Sequence, residues 1–173
     1  MTGPACVLVG APGAGKSTVG PLVAEALGVP FRDSDADIVA LAGKPIPEIF
    51  IDDGEDHFRK LETQALATAL RDFNGVLALG GGAVLAEENR SMLRGHRVVY
   101  LEVGFAEAIG RVGLGAGRPL LSVNPRATLR HLLDQRRPLY EEVAALTVDT
   151  DGVTPEQVAA TVVAALSGDG RPA

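Results

Sequence analysis

The chain has 173 residues, 46% of them hydrophobic and 22% charged, with a net charge of −6 and a single cysteine. That length supports one hydrophobic core and is short for two. The acidic balance argues against a broad nucleic-acid or anionic-membrane surface, so any anionic ligand has to be held in a local basic pocket.

Cys6 stands alone in an apolar stretch, which rules out a disulfide framework within the chain and reads as a small buried hydrophobe. His57, His96 and His131 are scattered and have no cysteine partners, which argues against a zinc site. The start pairs no basic region with a long apolar run, and no later segment approaches transmembrane length, so a cytoplasmic location is expected.

In chain order, the apolar run Ala5 to Val9 predicts a strand that leads into "GAPGAGKS", Gly10 to Ser17. The pattern G-x-x-x-x-G-K-S between a strand and a helix is a phosphate-binding loop, with Gly10, Gly15, Lys16 and Ser17 in the defining positions. Glycines let successive N–H groups turn around an anion at the start of the following helix. Lys16 places a positive charge on the β and γ oxygens, and the Ser17 hydroxyl suits a magnesium ion bridging them. The nucleotide-binding set is therefore Gly13, Ala14, Gly15, Lys16, Ser17 and Thr18. Thr18 occupies the place where a dinucleotide G-x-G-x-x-G starting at Gly13 needs its last glycine, so that reading fails.

Lys16 to Leu27 is helical in pattern, stopped by Gly28 and Pro30. A second strand ends at "FRDSD", where Asp33 and Asp35 alternate at strand spacing or sit just beyond the strand, at the edge where α/β sheets bind ligands. Acids in such a place also serve as helix caps or solvated turn residues. Pro45 to Ile51 and Asp53 to Phe73 read as helices; in the second, Arg59 and Glu62 are i,i+3 neighbours, so the carboxylate can orient the guanidinium. The strand "GVLAL" runs into Gly80, Gly81 and Gly82, which suggest close backbone approach to a ligand. No aspartate follows that strand, which leaves Asp33 as the candidate directed at magnesium.

A helix from about Ala86 to Leu93, the strand "RVVYLEV" and a helix from Phe105 come next. The glycines and prolines of "GLGAGRPLLSVNPR" break helical periodicity and suggest a mobile loop carrying Arg118. Arg126 to Val143 looks helical with an irregularity at Pro138, "LTVDT" is a fifth strand, Pro155 to Leu166 is a closing helix, and a frayed tail is expected over 167–173. Strands alternating with helices imply a parallel, three-layer α/β sheet.

Taken together, "GAPGAGKS", "DSD", "GEDHFRKLE", "GGGAV", "RPLL" and "RRPLY" resemble the shikimate kinases, small P-loop enzymes of the nucleoside monophosphate kinase-like group. The likeness runs in order along nearly the whole chain. It implies a single kinase domain over 1–173, a sheet of order 2-3-1-4-5, a substrate-binding region at about 33–62 and a mobile lid at about 113–124. The implied reaction moves the γ-phosphate of ATP, with magnesium, onto the 3-hydroxyl of shikimate in the route to chorismate and the aromatic amino acids.

By the same resemblance, Asp35 contacts the shikimate hydroxyls and is a candidate base, while Asp33 helps to hold magnesium, through water. Arg59 and Arg136 grip the carboxylate, with Arg136 preferred to Arg137 because the family's arginine stands two residues before the proline. Gly80, Gly81 and Gly82 present N–H groups to the same substrate, and Arg118 is the lid arginine that reaches the transferred phosphate. Lys16, Asp35 and Arg118 thus form the catalytic set. Arg111 is a candidate for stacking on adenine, the alternative being an ordinary surface arginine. Phe50 and Phe58 either wall the ring or belong to the core. The resemblance brings ATP and shikimate as partners, no nucleic acid or membrane, and a monomer. Two rivals stand beside it: a kinase for another small molecule such as gluconate or a nucleoside monophosphate, against which "GEDHFRKLE" and "GGGAV" discriminate, and an idle nucleotide-binding regulator, against which the full set of charged residues argues.

Overall fold

The computed structural model describes residues 3–112 and 125–168. The expected lid with Arg118, and residues 169–173, lie outside the described residues. Strand β1 (Cys6–Val9) is buried along its whole length, as the apolar run requires of a central parallel strand covered on both faces. Burial pushes the Cys6 thiol up to about 12, so it stays protonated. Helix α1 (Lys16–Leu27) ends where Gly28 takes φ 69° and donates its N–H back to the carbonyls of Ala24 and Glu25.

Strand β2 (Phe31–Asp33) is followed at once by α2 (Ser34–Ala42), an element the sequence reading does not contain. Its five consecutive apolar residues, Ile38 to Ala42, hide the helical period; Ile38 is fully buried, while Val39 and Leu41 face solvent. The aspartates are divided accordingly: Asp33 is the cap of α2 and Asp35 stands in its first turn, beyond the strand. Helix α3 (Ile46–Asp52) precedes α4 (Glu55–Asp72), which starts later than Asp53 because Gly54 sits at φ 85°, outside helical space.

Ile38, Ile49, Phe58 and Ala65 form a small core of their own, with Phe50 packed against it, that ties α2, α3 and α4 together. The Phe50 and Phe58 rings lie 4.7 Å apart, centroid to centroid, so Phe58 is core and Phe50 lies at its margin.

Strand β3 (Val76–Ala78) leads through Gly80–Gly82 into a 3-10 turn (Ala83–Leu85) and α5 (Glu87–Leu93). Then come β4 (Val98–Glu102), α6 (Phe105–Val112), α7 (Pro125–Val143), β5 (Leu146–Asp149) and α8 (Pro155–Gly168). Pro138 lies inside α7, and α8 continues through Ser167 and Gly168, so those two residues are helical and not part of a tail. The five strands are all parallel, in the order β2-β3-β1-β4-β5, and helices flank the sheet. Strands β3 and β4 sit on either side of β1, so the loops leaving β1 and β3 share one edge of the sheet, and β2 delivers Asp33 beside them. Among the described residues, no helix is long and apolar enough to cross a membrane.

Leu8 is fully buried on the central strand, so Leu8→Ala should lose about 3 kcal/mol through lost transfer energy and a residual cavity. Leu41→Ala, on the exposed side of α2, should change stability by less than about 0.5 kcal/mol. Denaturant midpoints of the two variants check the pair.

Candidate active site

A cleft of about 200 Å³ opens at this sheet edge, lined by Pro12, Gly13, Gly15, Lys16, Ser17, Thr18, Asp33, Asp35, Leu79, Gly80 and Gly81. One wall is the turn from β1 into α1. Gly10 has φ 155°, and a Cβ there would lie 2.6 Å from the Leu101 carbonyl oxygen, so no other residue fits. Gly13 and Gly15 take φ 84° and 98°. No side chain caps α1, and its first turn carries no acid, so the positive end of the helix is left for a ligand anion. Lys16 lies along this turn, its Nζ donating to the carbonyls of Gly10 at 2.6 Å and Ala11 at 3.1 Å.

The opposite wall comes from α2, α4 and the glycine turn. Asp33 accepts the Asp35 N–H through Oδ1 at 2.9 Å, so it caps α2, and it lines the cleft as well. Asp35 Oδ1 lies 3.1 Å from where a Gly80 Cβ would stand. Arg59 donates from Nη1 to Glu62 Oε1 at 2.8 Å and from Nη2 to Glu55 at 3.3 Å, the i,i+3 pairing expected from the sequence. Gly82 makes room for this guanidinium: a Cβ there would come within 2.4 Å of it.

Arg136 reaches the same turn from α7. It is only 5% exposed, and its Nη1 lies 3.4 Å from the Cβ position of Gly81. Arg137, its neighbour, turns to the Tyr100 hydroxyl, so the two arginines are not interchangeable. The buried Nε atoms of both Arg59 and Arg136 have no protein acceptor, a donor surplus that suits a carboxylate ligand.

Burial pushes the Glu62 carboxyl above the usual glutamate range; Arg59 opposes this strongly, Asp35 adds to it, and Arg136 opposes it. Arg59 and Arg136 thus stand beside Glu62 and Asp35, so this wall sets two cations against two acids.

Arg111 sits apart from this wall. It donates to the Gly13 carbonyl at 3.1 Å, to Thr150 Oγ1 at 3.1 Å and to the Thr150 carbonyl at 2.8 Å, and it pairs with Glu107. It therefore ties the phosphate loop to the loop after β5, which its position on α6 alone does not reveal.

Sequence reasoning also passed over the groups that hold the glycine turn in place. Tyr140 Oη donates to the Gly81 carbonyl, Asn89 Nδ2 to Ala83 and Arg90 Nη1 to Val84 and Leu85. The only available signal was the four-residue spacing of Arg136 and Tyr140, which puts both on one helix face.

A phosphate loop at the start of a helix, on a parallel sheet with an arginine-rich acceptor wall, defines a P-loop phosphotransferase acting on a small anionic acceptor. The sequence model of the shikimate kinase family matches residues 12–167. A shikimate kinase of Salinispora arenicola is 66% identical over 164 residues, covering 95% of this chain and 98% of that protein. One from Salinispora tropica is 68% identical over 94% of this chain and 98% of its own length. The solved structure of a shikimate kinase from Acinetobacter baumannii in complex with shikimate superposes with a TM-score of 0.89 at 40% identity, over 99% of this chain and 97% of that one.

The chain belongs to the shikimate kinase family. Its reaction is transfer of the ATP γ-phosphate to the 3-hydroxyl of shikimate, giving shikimate 3-phosphate and ADP on the way to chorismate and the aromatic amino acids.

Gly82 has φ −97°, which alanine adopts freely, so Gly82→Ala should leave the backbone intact and displace only Arg59; steady-state kinetics should show the shikimate KM raised about tenfold. Because Glu62 protonates at a higher pH than an exposed glutamate, acidification should loosen its hold on Arg59 and raise the shikimate KM. In Glu62→Gln the KM should start high and that acid limb should flatten.

Proposed function

We propose that this cleft is where ATP and shikimate meet, with the phosphate chain on the β1–α1 turn and the shikimate carboxylate between Arg59 and Arg136. The observation that carries this is the convergence of the two guanidinium groups on Gly81 and Gly82, beside the residues that line the phosphate loop. Gly13, Ala14, Gly15, Lys16, Ser17 and Thr18 cradle the phosphates; Gly80, Gly81 and Gly82 offer backbone N–H groups to the acceptor; Asp35 orients its hydroxyls. Arg111 borders the adenine side through its bonds to Gly13 and Thr150.

Magnesium fits the donor set. Ser17 and Asp33 are oxygen donors in the same cleft. Such a pair suits an ion bound mainly through phosphate and water, which neutralises charge on the β and γ oxygens when present.

Phosphoryl transfer needs alignment and charge neutralisation more than covalent chemistry. Lys16 and Arg118 carry the positive charge that meets the moving phosphoryl group, and Asp35 receives or orients the acceptor proton. In a loose transition state, orientation outweighs early deprotonation. Residues 113–124 act as the lid and 33–62 as the substrate-binding region of one kinase domain, which works as a cytoplasmic monomer.

ADP release with magnesium and ATP should depend on shikimate and be matched by monophosphorylated shikimate in the mass spectrum; ATP binding without transfer would redirect the search to other hydroxylated acids. Arg59→Ala and Arg136→Ala should each raise the shikimate KM by about 10- to 100-fold with little change for ATP. A shikimate analogue without its carboxylate should be blind to both. Arg118→Ala should lower kcat more than it weakens shikimate binding. Single-turnover transfer in Asp35→Asn separates the roles of that acid, since near-normal transfer at saturating shikimate removes the obligatory base.

A further inference from the structure

Tyr140 has no part in the roles above, yet it sits where they join. It is 1% exposed and lies one helical turn after Arg136 on α7. Its hydroxyl donates to the Gly81 carbonyl at 2.5 Å, and the Arg136 guanidinium is a hydrogen-bond partner of the same oxygen. The ring stacks on Tyr100 of β4 at 5.0 Å and 28°, which fixes the direction of the hydroxyl. Gly81 is hemmed in on two further sides: a Cβ there would lie 3.0 Å from Pro12 Cδ of the phosphate loop and 3.4 Å from Arg136 Nη1.

A trans peptide is planar, with its C=O and the next N–H pointing in opposite directions. Anchoring the Gly81 carbonyl on α7 therefore aims the Gly82 N–H away from α7. One hydroxyl thus sets a backbone donor and a guanidinium in a common frame, at the place where the acceptor wall touches the phosphate loop.

We propose that Tyr140 is a positioning residue for shikimate, its hydroxyl holding the Gly81 peptide and the Arg136 guanidinium at one spacing so that the substrate meets donors already in place. The inference rests on the assignment of Arg136 and the glycine turn to shikimate. Burial pushes the Tyr140 phenol up to about 12, so the hydroxyl keeps its proton and donates throughout the neutral range. The other ties on this turn, from Asn89 and Arg90, hold carbonyls further along, at Ala83, Val84 and Leu85.

Tyr140→Phe keeps the ring and its stack and removes only the hydroxyl. The expected result is a shikimate KM raised about tenfold with the ATP KM and kcat within about twofold. Calorimetric titration of shikimate into the same preparation gives a Kd together with a stoichiometry that counts folded sites, so loss of folded protein is separated from loss of affinity. Arg136→Lys and the double variant complete a cycle, in which the double variant should lose less shikimate affinity than the product of the single losses.

Equal changes in both KM values, or an unchanged shikimate Kd in Tyr140→Phe, overturn the positioning role. So do losses that simply multiply. If Arg136→Lys alone binds shikimate normally, the assignment of Arg136 fails and this inference falls with it. If Arg136→Lys is defective while Tyr140→Phe is normal, the inference alone fails.

Discussion

A Cβ at Gly82 would stand 2.4 Å from the Arg59 guanidinium, and one at Gly81 would stand 3.4 Å from that of Arg136. The missing side chain of Gly82 lets the Arg59 guanidinium pack under a backbone segment, and the Arg136 guanidinium comes into contact range of the same turn at Gly81. Burying charge is expensive unless it is paired, and Glu62, itself 2% exposed, supplies the partner for Arg59. Glu62 bears the desolvation penalty for the pair, visible as a carboxyl displaced upward despite the arginine beside it. Two guanidinium groups are thereby held at one turn of a chain that carries a net charge of −6.

The same turn connects the acceptor wall to the phosphate loop. Pro12 packs against Gly81, and the carbonyls of Gly81, Ala83, Val84 and Leu85 are held by donors from α5 and α7. On the far side, Arg111 joins the Gly13 carbonyl to Thr150, while Glu107 accepts the Gly152 N–H and Asp151 accepts the Gly104 N–H. The loops after β1, β3, β4 and β5 are thus cross-linked by side chains at one edge of the sheet. That rigidity suits a reaction whose demand is alignment of two substrates.

Much of this was legible beforehand because the relevant signals are local. The β1–α1 turn announces itself by glycine spacing, Arg59 and Glu62 by a three-residue interval within one helix, and the stop after Leu27 by Gly28. Helix α2 was not legible, since its run of apolar residues after Asp37 carries no helical period and its identity depends on Ile38 finding Ile49 and Phe58. That Asp33 is both cap and wall, two readings the sequence offered as alternatives, becomes visible only with α2 in place. Tyr140 and Arg111 are the clearest cases: their partners lie 59 and 98 residues away, at Gly81 and Gly13.

The sequence by itself determined the phosphate loop, the alternation of strands and helices, the family and therefore the reaction, because each is written in short-range patterns of residue type. Only the tertiary structure decided that Arg137 turns to the Tyr100 hydroxyl while Arg136 reaches the glycine turn, which carbonyls fasten that turn, and how deeply Glu62 is buried beside Arg59. Those choices depend on burial and on contacts between distant segments. Desolvation, packing and the direction of a hydrogen bond exist only once the elements have come together.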